Sequence, residues 1–353
     1  MSLFNLQLNS LGINISDRFV KIIELKEKNK KIYLKAWNEQ KIEEGVVSKG
    51  EIKNKQKLAE TIIKAINESK GKITTTYANI SLPENKIFFN NIKLYTENDK
   101  KIRGALEKEL EKHVPIAIDE LRYDYEIIAQ NKQEKKMVVS VSSISQKIAE
   151  DYEEVAGLAN IKLNCLETQS QSSVRAVYDQ IDKSKSTLLL DLGFNNSSIL
   201  LWHKKAIRFT TEISFCGEKI NSLIAKKTKM TGSKVEKTKK IYGLENKKNK
   251  NPILNLIAPE ASLLIKEIEQ SLSYYDEISL EDKDSIKIIL TGGTSRLKGL
   301  DKYIQKHTGI ETKIARPFKN IKLNKNQLKI KEKDLEMLIP IGLSLKDIKN
   351  VNR

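Results

Sequence analysis

Two stretches of this chain repeat one another. Residues 11–37, LGINISDRFVKIIELKEKNKKIYLKAW, set two β-branched, apolar runs about the charged turn KEKNKK. Residues 187–213, TLLLDLGFNNSSILLWHKKAIRFTTEI, set two such runs about the basic turn HKK. Both read as hairpins. Aligned, Asn14 falls on Asp191, Ser16 on Gly193 and the turn at Lys30–Lys31 on that at Lys204–Lys205, a period of about 177 residues. Solenoid units recur at roughly 20–50 residues, so the repeat implies two related lobes rather than an array. The length of 353 residues suits two lobes, because single cores stop growing near ~250–300 residues. Helical periodicity follows each hairpin, through Leu58, Ile62, Ile63 and Ile66 in one lobe and Ile220, Leu223 and Ile224 in the other. Strands followed by helices in both halves predict two α/β layers.

Each lobe carries an insert. Residues 79–164 read as a βαββα-like module projecting from lobe one: strands ANISLP and NKIFFNNIKL, a helix from Asn98 to His113, paired strands LRYDYEIIAQ and KKMVVSVSSI, and a closing helix over Ser145–Ala159. Residues 231–284 form a smaller, mainly helical insert in lobe two, ending in an apolar-periodic helix with Ala261, Leu264, Ile265, Ile268 and Leu272. The remaining boundaries are lobe one core at 1–78, a return helix at 165–186, lobe two core at 187–230, a final turn-and-strand region at 285–330, and a C-terminal helix at 331–353 returning to lobe one.

Composition narrows the function classes. The formal net charge is +17, yet lysine supplies most of it and arginine occurs at only eight positions (18, 103, 122, 175, 208, 296, 316 and 353). Base-edge and bidentate phosphate readout leans on the planar guanidinium, so the charge reads as a lysine bias and no nucleic-acid partner is expected. The densest basic segment is Lys226–Lys250, with ten lysines against two glutamates. It reads as a solvated face, with contact to acidic lipid headgroups or an acidic partner as the sharper alternative. No apolar run reaches the ~18–20 residues of a membrane span and the N-terminus lacks a secretory signal, so a cytoplasmic protein is expected. Cys165 and Cys216, with three histidines, leave little for a disulfide framework or a metal cluster. Both cysteines read as small buried hydrophobes, His203 as part of an exposed turn, and Trp37 and Trp202 as core residues on corresponding strands.

The most specific local motif is Ile286–Leu300, a β-branched strand entering the paired-glycine turn Gly292-Gly293-Thr294 and then a helix. Paired glycines let backbone pass close to a flat or anionic ligand, and a following helix start offers unsatisfied N–H groups. Asp191-Leu192-Gly193 lies at a hairpin bend, where an aspartate can order a magnesium-bound water and Gly193, Ser197 and Ser198 can approach phosphates. Either motif alone is equally explained by a tight turn.

Their order is more informative. The hairpin bend, the insert, the second hairpin, Cys216-Gly217-Glu218-Lys219 and the Thr-Gly-Gly-Thr turn together resemble the actin-like ATPase superfamily. Within it the chain resembles the PilM family of type IV pilus assembly proteins, relatives of the cell-division protein FtsA. The resemblance runs from Leu11 to Leu345 and includes His113-Val114-Pro115, Tyr123-Asp124-Tyr125, Ser273-Tyr274-Tyr275, Arg316-Pro317-Phe318 and Ile341-Gly342-Leu343. It implies a duplicated, ribonuclease-H-like two-lobed fold that binds ATP or ADP with Mg2+. By resemblance, Asn14, Ser16 and Lys21 belong to the first phosphate loop, and Asp191, Gly193, Asn195, Asn196 and Ser197 to the second, with Asp191 reaching Mg2+ through water. Gly217, Glu218 and Lys219 would face ribose and base, Gly292, Gly293, Thr294 and Arg296 would form the adenosine turn, and Glu167 would position a water, making it and Asp191 the catalytic pair that the resemblance implies. Without the resemblance, Glu167 is a helix-start carboxylate facing the macrodipole.

The chain departs from the pattern. Asn14 stands where the family has Asp, Ser16 and Asn195 where it has Gly, Cys216 where it has the first glycine of a pair, and Asp17 adds negative charge beside a polyphosphate. A neutral amide holds a metal-bound water less firmly and cannot act as a base. The resemblance with these departures implies a nucleotide-binding scaffold, at most a weak ATPase, whose nucleotide state sets lobe closure. The partner it implies is the cytoplasmic N-terminal tail of a PilN-type inner-membrane protein, held between lobe one and the 79–164 module, with other pilus platform proteins nearby. The chain would sit near the membrane without inserting. The alternatives are an FtsA-like filament former and an active ATPase or kinase of the same fold.

Overall fold

The computed structural model describes residues 9–95, 99–131, 135–245, 251–278 and 285–348. Asn98, Lys247, Lys248 and Lys250, residues 279–284 of the second insert and the chain ends invoked above (1–8 and 349–353) lie outside them. The chain divides into two compact units, residues 1–178 with 317–353, and residues 179–316.

Unit one opens with strands β1 (Leu11–Ile15), β2 (Phe19–Lys28) and β3 (Lys31–Lys41), a short β4 (Val47–Ser48) and β5 (Glu51–Ile52) hairpin, and helix α1 (Lys55–Asn67). It continues with β6 (Tyr77–Leu82), β7 (Phe88–Leu94), α2 (Asp99–His113), β8 (Leu121–Asn131), β9 (Lys136–Ser145), α3 (Gln146–Leu158), β10 (Lys162–Thr168) and α4 (Gln169–Val177). Unit two contains β11 (Ser186–Leu192), β12 (Ser197–His203), β13 (Ala206–Ile213), α5 (Gly217–Thr228), α6 (Ser233–Tyr242), α7 (Leu254–Ile278), β14 (Ile286–Thr291), α8 (Leu300–Thr308) and β15 (Thr312–Ile314). The chain then returns to unit one through β16 (Ile321–Lys322) and α9 (Leu338–Leu345).

The duplication is visible in the sheets. Unit one has the order β10-β6-β1-β2-β3-β16 and unit two β13-β12-β11-β14-β15, so each pairs its first strand antiparallel to the second and parallel to the fourth. Both second hairpins close through two residues of positive φ, Asn29 (52°) with Lys30 (58°), and Lys204 (45°) with Lys205 (69°). Positive φ at both central residues matches the twist of the flanking strands. The equivalent turns are therefore 29–30 and 204–205, one residue from the register the sequence suggests. Each unit has its own core, around Ile13, Ile22, Leu58, Ile62 and Ile80 in one and Leu188, Leu190, Ile220, Ile224 and Leu264 in the other.

The lobe-one insert is smaller than 79–164. Its own sheet is β7-β9-β8, covered by α2 over Ile92, Leu106, Leu110, Val139 and Val141. Strand β6 is instead a central, parallel strand between β1 and β10, and Tyr152 and Val155 of α3 lie in the main core. Ala78 through Leu82 are all buried, the continuous pattern of a strand covered on both faces, which sequence alone cannot assign to one sheet over another. Residues 317–330 likewise belong to unit one, because β16 pairs with β3.

Three further expectations change. His203 is 3 % exposed, with Nδ1 2.9 Å from Ser186 Oγ. Trp37 lies on the third strand of its unit and Trp202 on the second, although both are buried as expected. Cys165 and Cys216 are only half-buried, and Cys165 Sγ donates to Asn79 Oδ1 at 3.3 Å, with burial pushing its thiol up to about 11.

Candidate functional site

Three loops of unit two converge. Asp191, next to last in β11, pairs with Thr291, whose hydroxyl donates to Asp191 Oδ1 at 3.3 Å. The bend that follows is fixed at its base, where the Gly193 amide donates to Ser197 Oγ at 3.1 Å. The Gly193 carbonyl accepts from the Gly217 amide at 3.0 Å and from Thr294 Oγ1 at 2.7 Å, and the Phe194 carbonyl accepts from the Glu218 amide at 2.7 Å. Two first-turn amides of α5, which a helix leaves without internal partners, are thus capped by the bend.

The glycines are required by this packing. A Cβ at Gly193 would stand 2.2 Å from the Asn196 carbonyl oxygen, one at Gly217 2.7 Å from Thr294 Oγ1, and one at Gly292 2.4 Å from the Leu192 carbonyl oxygen. Gly292 also has φ of 78°, a conformation glycine adopts at little cost. At the tip of the bend, Asn195 and Asn196 are exposed and, among the described residues, hold no hydrogen bond through their amides. The cluster therefore has a glycine-lined backbone surface and an exposed amide tip, which suit a phosphate and a flat ring. Glu218 is exposed, its carboxylate accepting from Ser222 Oγ at 2.7 Å, and Arg296 is half-buried at the end of the glycine turn. Lys219 does not join this group, because its Nζ lies 2.7 Å from Glu260 on α7.

The equivalent bend in unit one is closed differently. The Ser16 amide and hydroxyl both donate to the Phe19 carbonyl at 3.0 Å, and Ser16 Oγ accepts from the Phe19 amide at 3.1 Å. Asp17 accepts the amides of Lys49 and Gly50 at 2.9 and 3.0 Å. Asn14 is 4 % exposed and donates to Ser81 Oγ at 2.8 Å, while Lys21 is half-buried beside it in the ladder.

A model of the type IV pilus assembly protein PilM family matches residues 12–348. The chain belongs to the PilM family. Among solved structures, a PilM–PilN type IV pilus biogenesis complex superposes with TM-score 0.84 at 19 % identity, covering 97 % of this chain and 99 % of that one. The ethanolamine utilization protein EutJ of Carboxydothermus hydrogenoformans follows with TM-score 0.56 at 11 % identity over 95 % and 89 % of the chains. MreB 5 of Spiroplasma citri bound to AMPPNP gives 0.53 at 13 % identity over 97 % and 98 %. These likenesses show an actin-like fold. No helix among the described residues is long and apolar enough to cross a membrane.

In this PilM-family chain Glu167 is not placed to position a water. It is 4 % exposed, and its oxygens accept from both terminal nitrogens of Arg175 at 2.6 Å, from Lys346 Nζ at 2.8 Å and from Ser172 Oγ at 3.2 Å. Burial pushes its carboxyl upward, but Arg175 and Lys346 outweigh that and hold it below the ordinary range. Four donors saturate the carboxylate, so it anchors α4 and the C-terminal segment to β10. Arg175 is two helical turns beyond Glu167 and could have been paired with it from sequence. Lys346 is 179 residues away and could not. Ser295 carries no role in the sequence reading, yet its Oγ donates to the Thr291 carbonyl and closes the glycine turn.

Proposed function

We propose that the chain is a nucleotide-binding scaffold of type IV pilus assembly, docking the cytoplasmic N-terminal tail of a PilN-type membrane protein on unit one. The observation that carries this reading is the family match over residues 12–348, which spans both units and the β7-β9-β8 insert. Attachment to the inner membrane runs through that partner. The tail-binding surface includes the β7-β9-β8 subdomain, which has its own core and two strand edges.

For the nucleotide, unit two supplies the holding groups. The exposed amides at Asn195 and Asn196 face phosphate, Gly292 and Gly293 let the backbone meet the adenine, and Glu218 and Arg296 lie on the flanks. ATP supplies the group whose presence or hydrolysis would set lobe closure. Mg2+ would ride on the phosphates with Asp191 reaching it through water, since magnesium needs only one or two carboxylates beside phosphate oxygens. No cluster of three or more His, Cys, Asp or Glu side chains exists among the described residues to hold a metal by itself. Hydrolysis is slow or absent in this reading. Glu167 is saturated, Asn14 cannot take a proton, and losing a positioned base costs roughly 10²–10⁴-fold.

Hydrogen exchange of the full chain with and without a peptide of the partner's N-terminal tail tests the docking. Protection should rise over β7 to β9 and adjoining parts of unit one; no binding, or protection confined to unit two, overturns it. Calorimetry with Mg-ATP tests the nucleotide separately, and the absence of heat at millimolar ligand would leave a scaffold without nucleotide.

A further inference from the structure

One surface of unit two is unused by the fold and by the function above. From Lys226 to Ile241 the chain carries seven lysines and one glutamate. At 3.6 residues per turn, α6 turns Val235 and Lys239 inward, and both are buried. The opposite arc presents Lys234, Lys237, Lys240 and Ile241, all exposed, with Ile241 at 59 %. Met230, 37 % exposed, is held against this helix by Thr238, whose hydroxyl donates to its sulfur at 3.5 Å. Exposed Lys226, Lys227 and Lys229 extend the same stretch from the end of α5.

The acid within the patch is already spent. Glu236 pairs with buried Lys239 at 2.8 Å and accepts from Asn221 at 3.1 Å. Among the described residues, Lys226, Lys227, Lys229, Lys234 and Lys237 have no ion-pair partner. Helix macrodipoles account for Lys226 and Lys227, which lie in a last turn. They do not account for Lys234, in the first turn of α6, where the dipole opposes a cation. Lys229 takes a left-handed φ of 59° at the α5 C-cap, a position that glycine fills at lower cost. The surface thus carries charge where local structure disfavours it, with two large apolar side chains exposed between the lysines.

We propose that this face, Lys226–Lys229 with the Lys234–Lys237–Lys240–Ile241 arc of α6, binds acidic phospholipid headgroups. Lysines are compact point charges that lie along a negatively charged bilayer surface on flexible apolar stems, and Met230 and Ile241 enter the headgroup boundary as in interfacial helices. The scarcity of Arg, whose fork suits bases and bidentate phosphates, favours a lipid surface over nucleic acid. The contact needs no protein partner, so it stands or falls separately from the docking of a membrane-protein tail.

The test is flotation of the full chain with vesicles of phosphatidylcholine, with and without phosphatidylglycerol. Binding should require phosphatidylglycerol and fall with added salt. Lys234→Ala with Lys237→Ala and Lys240→Ala should weaken it by roughly 100-fold, about fivefold per lysine. Ile241→Ser should weaken it by about tenfold and leave the salt dependence. A triple of equal charge elsewhere, Lys322→Ala with Lys325→Ala and Lys329→Ala, should keep near-normal binding. All these side chains are exposed, so unchanged melting curves confirm intact folding. No binding to acidic vesicles at low salt overturns the proposal. So does equal loss in both triples, which would reduce the effect to net charge, or face-dependent capture by heparin without vesicle binding, which would assign the face to another polyanion.

Discussion

Between β1 and β2 the chain bends through Ser16, Asp17 and Arg18, and between β11 and β12 it bends through Gly193, Phe194, Asn195 and Asn196. The flanking strands have the same order and the same closing turn, yet the two bends use their polar groups oppositely. In unit one Ser16 binds across its own bend and Asp17 ties it to the turn at Lys49 and Gly50. In unit two the bend is gripped at its base by Ser197, α5 and Thr294, and its tip stays exposed. A duplicated frame can thus spend one copy of a loop on its own closure and leave the tip of the other open. The difference arises from two side chains: Ser16 and Asp17 supply local acceptors that Gly193 and Phe194 lack.

The largest expected effect concerns the closure of unit one. Glu167→Gln leaves Arg175 and Lys346 facing a neutral amide in a largely buried site, and breaking a buried ion pair this way costs ~3–5 kcal/mol. Denaturant unfolding should show this loss in unit one, with amide exchange in unit two unchanged. The pH dependence has a definite sign. The folded carboxyl is held below its ordinary value of 4.5, so its contribution is complete above that value and is lost as pH falls through the lower folded value. The Gln variant should lack this part of the acid limb; a wild-type acid limb would show that the triad does not stabilise the fold.

Next is the ligand side of the comparison. Gly292→Ala puts a Cβ 2.4 Å from the Leu192 carbonyl oxygen at a left-handed φ, a strain of roughly 1–3 kcal/mol. It should lower Mg-ATP affinity by at least tenfold in calorimetry while β1 to β3 keep their exchange rates. Unimpaired binding would remove the glycine turn from the nucleotide site. A smaller effect is expected from restoring the other bend. Asn14→Asp with Ser16→Gly should raise Mg-dependent affinity a few-fold, since it adds one carboxylate and removes the hydroxyl's two bonds to Phe19, leaving only the backbone one. Unchanged affinity would mean that this bend does not meet the phosphates.

Local patterning and order carried much of this into the sequence. The β-branched runs about two basic turns announce the paired sheets, and Gly193, Gly217 and Gly292 are legible as turn and helix-start glycines, the first and last crowded by backbone oxygens and Gly217 by the Thr294 hydroxyl. What the sequence hid is long-range. Strand β6 reads as part of the insert because its burial on both faces gives no periodicity to say which sheet it joins. Glu167 reads as a site residue because Lys346, which saturates it, arrives from the far end of the chain. Gly342 stands out only through the family resemblance and no local pattern explains it, yet a Cβ there would stand 1.9 Å from the Ser172 carbonyl oxygen, showing how tightly α9 meets α4.

The smallest prediction tests whether the two hairpins are energetically as alike as they are geometrically. All four turn residues have positive φ, but unit one has Asn29-Lys30 and unit two Lys204-Lys205. A left-handed lysine costs about 1–2 kcal/mol relative to a right-handed one, of which the added freedom of glycine in the unfolded chain cancels roughly 0.4–1 kcal/mol. Lys30→Gly and Lys205→Gly should therefore each stabilise their hairpin by ~0.5–1 kcal/mol. Lys30→Gly makes the Asn-Gly pair that suits such a turn best, whereas Lys205→Gly leaves Lys204 at 45°. Adding Lys204→Asn should then gain a further few tenths of a kcal/mol in unit two alone. Native-state amide exchange resolves β2–β3 from β12–β13 and suits a chain of two units, where one melting temperature mixes both. Equal slowing in the single variants, followed by the extra step in unit two, would show that the repeated frame has kept its energetics and that the bends alone have diverged.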